Sequence, residues 1–275
     1  MIHVDTEGPL GEQYSQWRKK AEQERTKILE EWQNTGQVSE LNQKIWKELK
    51  EIFLNYIFHQ KCAYCEGKIS AHVTLDVEHY RPKKQITERR ILLNHCGYFW
   101  LAYEWYNLLL ACRHCNSFHK NTINGKLQTH PGKANEFCVN GNRINNPSLD
   151  PENWQNELSQ EQPLLLNPYF DYPEDHIAFD ENGFAYPKGG SDRGKETIDV
   201  CDLNRPALVE ARLEVKYKVS TRMINFINEL INNCPSQNCR FDDSETFSAW
   251  LNNYMEFIAD KLKSNLSVSV QRTSS

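Results

Sequence analysis

Apolar positions recur at helical spacing toward both ends of this chain and break into short runs between them. Residues 12–34 are densely charged, with Trp17, Ile28, Leu29 and Trp32 as the main apolar points, and predict a helix. After the break at Asn34-Thr35-Gly36, Ser39 is the expected N-cap of a second helix. Leu41, Ile45, Leu49, Ile52, Phe53 and Tyr56 give that helix its apolar face, and it ends near His59. In the middle, Thr74 to His79 reads as a short strand stopped by Arg81-Pro82, because proline cannot donate to a ladder. Gly97 to Ala111 carries Tyr98, Phe99, Trp100, Tyr103, Trp105 and Tyr106, expected as core around a small site more than as a base-stacking platform.

Cys115 to Asn121 predicts the start of a short helix, and residues 125–162, rich in Gly, Asn, Pro and Gln, predict an irregular connection. Pro163 to Pro168 is a short apolar run bounded by prolines. His176–Phe179 and Phe184–Tyr186 flank Asp180-Glu181-Asn182-Gly183, a hairpin signal in which Asn-Gly supplies positive φ angles. Asn204 and Pro206 open a long amphipathic helix carrying Leu208, Val215, Val219, Met223, Phe226, Ile227 and Leu230, which stops before Cys234-Pro235. A last helix is expected from Asp243 or Ser244 through Leu262, followed by a polar tail from Ser264. The pattern predicts an α+β fold: a small module at 61–126 within a mostly helical protein. The flanking divisions are 1–60, an irregular stretch with a hairpin at 127–203, and 204–275, joined in one compact unit.

Composition (39% hydrophobic, 25% charged) is that of an ordinary globular chain, and 275 residues can bury a large core. No apolar run is long enough for a membrane-spanning helix, and the acidic start lacks the layout of a signal peptide. Nine cysteines, an odd count, argue against a secreted disulfide scaffold, so a cytoplasmic location is expected. The net charge of −5 gives no overall nucleic-acid footprint. Between His79 and Lys126, however, eight basic residues face two acidic ones, so this stretch carries +6 and the remainder −11. Such an island suits a local grip on phosphates, although a solvated basic face gives the same count.

Within that stretch lies the strongest chemical signal. Cys62-Ala63-Tyr64-Cys65 and Cys112-Arg113-His114-Cys115, 46 residues apart, each place two thiols in a tight turn, as one tetrahedral zinc requires. A redox dithiol would need a single pair at a helix start. Cys96, Cys138, Cys201, Cys234 and Cys239 have no such pairing and are expected mainly as small buried residues. Zinc saturated by four cysteines has no open position, so any catalysis falls to the residues it positions.

Those residues are of a type suited to phosphodiester hydrolysis. His79 is a candidate general base, and Glu78 beside it a candidate ligand for a divalent cation. Asn116, directly after Cys115, offers a neutral hard oxygen suited to magnesium or manganese. His119, three residues on, would share a helix face with Asn116 and reach metal or phosphate. Asn107 is a candidate for orienting His79 through the loop backbone. Arg81, Lys83, Arg113 and Lys120 are the candidate phosphate contacts. A Glu-His pair on a surface, or an Asn at a helix cap, is common without any such role; the double Cys-x-x-Cys frame is what joins them.

The run Val77-Glu78-His79-Tyr80-Arg81-Pro82-Lys83, the segment Gly97 to Leu109 and Cys112-Arg113-His114-Cys115-Asn116 together resemble the HNH (ββα-metal) endonucleases. More narrowly they resemble the PtuB-type HNH effectors of Septu and retron-associated anti-phage systems. The later stretches Pro163–Pro168, Ala178–Asp180 and Leu203–Val209 extend the likeness over about Cys62 to Arg212. The resemblance implies a ββα-metal nuclease with one catalytic divalent ion: His79 as general base, Glu78 and Asn116 on the metal, Asn107 orienting, and the four cysteines on structural zinc. Many such modules carry His where this chain has Asn116, which implies a weaker or a more magnesium-selective shell, and His119 does not fall cleanly on a family ligand. The resemblance further implies a PtuA-type partner, a large ATPase of the ABC or SMC-like class. In retron versions a reverse transcriptase and its DNA product join them. The alternative from another class is a zinc-stabilised nucleic-acid-binding or adaptor module without catalysis.

Overall fold

The computed structural model describes residues 1–4, 11–68, 74–123, 126–130, 132–147 and 154–231. Helix α1 (Gly11–Thr35) buries Trp17, Ala21 and Ile28, one stripe at helical spacing, and leaves its charged face to solvent. Trp17 Nε1 donates to the Ile45 carbonyl at 2.8 Å, and the Trp32 ring meets Phe99 at 4.9 Å, so α1 lies across the aromatic segment.

The second expected helix is broken into pieces. Asn42, not Ser39, caps α2 (Gln43–Lys47) by accepting the Lys44 N–H, and α3 (Lys50–Ile52) runs on into a wider π-type turn over Phe53–Ile57. The bond from Phe58 N to Phe53 O, five residues apart, brings those two rings to 5.5 Å. Aromatic packing thus overrides the simple helical period. Positive φ at His59 and Gln60 ends the turn and delivers the chain to Cys62.

Strand β1 (Leu75–His79) is paired antiparallel with β4 (Leu108–Cys112), from Leu75 opposite Cys112 to His79 opposite Leu108. All five β4 residues are buried, which explains its continuous apolar run. Between them, β2 (Thr87–Glu88) and β3 (Ile91–Leu92) form a small hairpin. Tyr98, Phe99, Trp100 and Tyr103 are buried, as expected of core, with Trp105 and Tyr106 half-buried at its rim.

After β4 comes α4 (Arg113–Asn116), a single turn. The chain then extends into β5 (His119–Ile123), paired with β6 (Lys126–His130), where a helix and then a loop were expected. The missed signal is Asn124-Gly125 between the two runs, a strong hairpin dipeptide. Helix α5 (Trp154–Ser159) also interrupts the expected loop.

The later hairpin is present as β7 (Ile177–Phe179) and β8 (Ala185–Pro187). Of its turn residues only Gly183 has positive φ; the Asp180 carboxylate shapes the rest by accepting the Asn182 and Phe184 N–H groups. Helix α6 (Asp192–Val200), short and polar, was not anticipated. Ser191 caps it, and Gly194 lies so close to the His176 carbonyl that a Cβ there would approach to 2.0 Å. Helix α7 (Pro206–Ile231) starts at proline, which needs no N–H partner at that position. The expected last helix, the tail, Cys234 and Cys239 lie outside the described residues. Among the described residues no helix is long and apolar enough to cross a membrane.

Candidate metal centre and adjoining polar site

The two Cys-x-x-Cys turns meet. Cys62, Cys65, Cys112 and Cys115 are buried, and their sulfurs lie within 4.8 Å of one another. Cys65 and Cys112 Sγ are 3.9 Å apart, close to the edge of about 3.8 Å that a tetrahedron with 2.3 Å zinc–sulfur bonds requires. The donor set and its size therefore fit a structural zinc. Backbone bonds build the frame: Cys62 N to Gly67 O, Glu66 N to Cys62 O, Ala63 N to Leu110 O, and Cys112 N to Cys62 Sγ at 3.3 Å. Burial pushes the Cys62 thiol up, while hydrogen bonding from Cys112 holds Cys65 well below the usual thiol range. Arg205, just before α7, directs its guanidinium at Cys115 Sγ (3.5 Å) and Cys112 Sγ (4.0 Å), placing positive charge beside the thiolates.

His79 sits at the far end of the β1–β4 ladder from Cys112, about 13 Å along it at 3.3 Å per residue. Only 2% of it is exposed. Its Nε2 faces the Ala102 carbonyl at 3.1 Å. A carbonyl can only accept, so Nε2 carries the proton and Nδ1 keeps a lone pair, which accepts from Lys83 Nζ at 3.2 Å. Trp46 meets the imidazole edge-on at 4.9 Å, and Lys83 Nζ lies 5.0 Å from that indole's centre. Burial, then the Lys83 charge, keeps His79 well below the ordinary histidine pKa, so it is neutral near pH 7.

Asn107 is buried and spends its whole amide on the same loop. Its Oδ1 accepts Arg81 N–H at 2.8 Å, and its Nδ2 donates to the Arg81 and Leu101 carbonyls at 3.2 and 3.1 Å. It thereby ties the turn after His79 to the residue before Ala102, the imidazole's own acceptor.

Glu78 points elsewhere. Its Oε1 accepts from Lys133 Nζ at 2.9 Å, and the same fully buried ammonium donates to the His79 carbonyl (2.8 Å) and more weakly to Ala134 O (3.3 Å). Lys133 N donates to Cys115 O (2.7 Å), so this lysine joins the cysteine turn to the end of β1. Sequence reading did not single it out: nothing about a lone Lys after Gly132 marks it. Asn116, half-buried at the end of α4, has no side-chain partner among the described residues, and α4 packs on β1.

The candidate phosphate contacts divide. Lys83 is at His79, and Arg113 is exposed on α4. Arg81 is not at the surface: only 5% exposed, it pairs with buried Glu161 at 3.1 Å, donates to Leu158 O and lies against Tyr80, Tyr98 and Phe137. Its place is a core ion pair, and a phosphate could bind it only by displacing Glu161. His119 lies on strand β5, so the helix face it was expected to share with Asn116 does not exist; its side chain and that of Lys120 lie outside the described residues.

A second group, Glu136, Cys138 and Glu196, also brings ligand atoms within 4.8 Å. Glu136 is already bonded by Thr87 and Arg90, and burial followed by Glu196 pushes the Cys138 thiol up to about 12, so it keeps its proton. A cavity of about 690 Å³, bordered by Tyr80, Arg81, Tyr106, Phe170 and Arg193, contains neither Glu78 nor His79.

Fold and site together define a mixed α+β protein built around a buried four-cysteine cluster fit to bind a metal ion. The chain is a homologue of Septu protein PtuB: it is 34% identical to the PtuB of Bacillus mycoides (strain KBAB4) over 180 residues, covering 64% of this chain and 54% of that protein. To the PtuB of Bacillus thuringiensis it is 25% identical over 207 residues, 74% of this chain and 59% of the relative. It is also 34% identical over 170 residues to the Septu protein PtuA of Bacillus mycoides (strain KBAB4), covering 61% of this chain and 21% of that protein. The chain thus spans little more than half the length of these PtuB relatives and about a fifth of the PtuA. No family model and no solved structure matches.

Proposed function

We propose that this protein is a metal-dependent HNH endonuclease acting in Septu-type anti-phage defence, in which the zinc is a clamp and the chemistry belongs to Glu78, His79 and Asn116. The observation that carries this reading is the state of His79: neutral, with its proton fixed on Nε2 by Ala102 and its lone pair on Nδ1. A general base needs that form. Asn107 is then the orienting residue, since its three bonds hold both segments that frame the ring.

A catalytic magnesium or manganese ion would be held by Glu78 and the Asn116 amide oxygen, hard ligands suited to an ion that keeps most of its waters. Bound there, it would supply charge stabilisation to the phosphodiester. Lys83 has two roles in this reading. In the free protein it occupies His79 Nδ1; an arriving phosphate attracts the ammonium and leaves the nitrogen free to take a proton from water. Arg113 adds a second cation on α4, the turn that carries Asn116.

The strand–strand–turn order of β1, β4 and α4, with His79 ending the first strand and the cysteines bracketing both, supports the HNH assignment. Likeness to both a PtuB and a segment of a PtuA supports association with a PtuA-type ATPase. The retron-linked arrangement follows from the resemblance alone. The competing reading, a zinc-stabilised binding or adaptor module without catalysis, draws on the lysines that already hold Glu78 and His79. The two part on metal dependence. Glu78→Gln and Asn116→Ala, with zinc content unchanged, are expected to raise the magnesium needed for cleavage at least tenfold. Nucleic-acid binding without product under magnesium or manganese would favour the binding module.

A further inference from the structure

The hairpin formed by β2 and β3 stands out by its turn and by what it exposes. Its register, Thr87 opposite Leu92 and Glu88 opposite Ile91, leaves a two-residue loop, Arg89-Arg90. Both arginines have positive φ, +50° and +65°, where such turns ordinarily use Asn-Gly. Buried Glu136 holds this turn by accepting Thr87 Oγ1 (2.8 Å) and the Arg90 N–H (3.2 Å). Glu88 is paired with Arg143 at 3.1 Å, so the acidic groups of the hairpin base are neutralised.

Ile91 and Leu92 are 67% and 59% exposed. Adjacent strand residues point to opposite faces, so exposure of both means that β3 is open to solvent on both faces. Arg89 is exposed with no side-chain partner among the described residues. Arg90 Nη1 reaches the Gly132 carbonyl at 3.3 Å and the Glu136 carboxylate at 3.7 Å, and the residue after Gly132 is Lys133, the lysine that holds Glu78. The ribbon therefore springs from the edge of the polar site.

We propose that the hairpin Thr87–Leu92 is a nucleic-acid-engaging wedge, Arg89 and Arg90 meeting backbone phosphates and Ile91 and Leu92 entering a groove of base-paired nucleic acid. Two guanidiniums flanking two bare aliphatic side chains match a polyanion with apolar base faces. This proposal rests on the nuclease reading for the meaning of the neighbouring site, but not for its test.

The test is binding of a short labelled DNA duplex, and of an RNA duplex of the same sequence, to the full chain in calcium. Arg89→Ala is expected to weaken binding about tenfold at low salt and to flatten the salt slope by about one. Ile91→Ser with Leu92→Ser is expected to leave that slope unchanged and to abolish the fluorescence rise of a 2-aminopurine unstacked by the wild type. Which duplex responds identifies the nucleic acid. Wild-type affinity, slope and unstacking in both variants would overturn the proposal, as would loss of only a protein contact, with a second copy or an ATPase. Binding is read without cleavage, so a wild type that binds and unstacks but never cleaves removes the nuclease reading and leaves the wedge standing.

Discussion

Lys133 and Glu78 form an ion pair at 2.9 Å in which the ammonium is fully buried and the carboxylate nearly so. The same ammonium holds the His79 carbonyl, and the Lys133 N–H is bonded to Cys115 O. One residue thus connects the cysteine cluster to both members of the Glu-His pair.

Breaking that connection should be costly. Lys133→Met leaves a buried carboxylate without its partner, and a loss of about 3–5 kcal/mol is expected, read from urea midpoints. Lys133→Met combined with Glu78→Met should recover part of the loss, since no charge is then stranded. A double-variant loss equal to the sum of the separate Lys133→Met and Glu78→Met losses would show that the pair contributes nothing as a pair.

Removing the metal should act at a distance. Cys62→Ser or Cys112→Ser is expected to lose about one zinc per chain and to open residues 132–136 to proteolysis, because Cys115 O anchors Lys133 N. Metal analysis and limited digestion check both halves; retained zinc would count against a four-cysteine site.

Arg205 should govern how firmly zinc is kept. Arg205→Ala removes the positive charge from Cys112 and Cys115, and zinc transfer to a chelator is expected to quicken about tenfold. Arg205→Lys should lie between, keeping charge without the forked geometry.

Stability should decline in mild acid through His95. In its neutral form the ring donates Nε2–H to Ile144 O and accepts the Gly97 N–H at Nδ1, both at 2.8 Å. A second ring proton would confront that N–H. Burial accordingly lowers its pKa, with the Ile144 carbonyl partly opposing. Below about pH 6.5 the unfolded chain gains a proton that the folded form resists, so stability is full above that pH and falls as pH drops toward the folded pKa. Denaturation midpoints between about pH 5 and about pH 7.5 should fall less steeply in His95→Gln than in wild type.

Much of this was legible in the chain. The Cys-x-x-Cys turns, the strand ending at His79, the aromatic core and the proline start of α7 follow from local chemistry, and each is present. What escaped depends on distant partners. Arg81 reads as a surface cation until Glu161, eighty residues away, draws it inward. Lys133 has no local signature because its role is set by Glu78 and Cys115. Helix α6 is short and polar, and it stands by packing against β7 and β8 rather than by propensity. The strand at His119 was missed for a different reason: apolar alternation is weak there, and Asn124-Gly125 was the only cue.

In the proposed mechanism zinc clamps while His79 acts. It is tested most directly by measuring magnesium-dependent cleavage of DNA and RNA by His79→Ala, together with the proposed PtuA-type partner, beside the zinc content of the same sample. Zinc at the wild-type level and cleavage reduced at least a hundredfold are expected. Cleavage at the wild-type rate with zinc in place would contradict it.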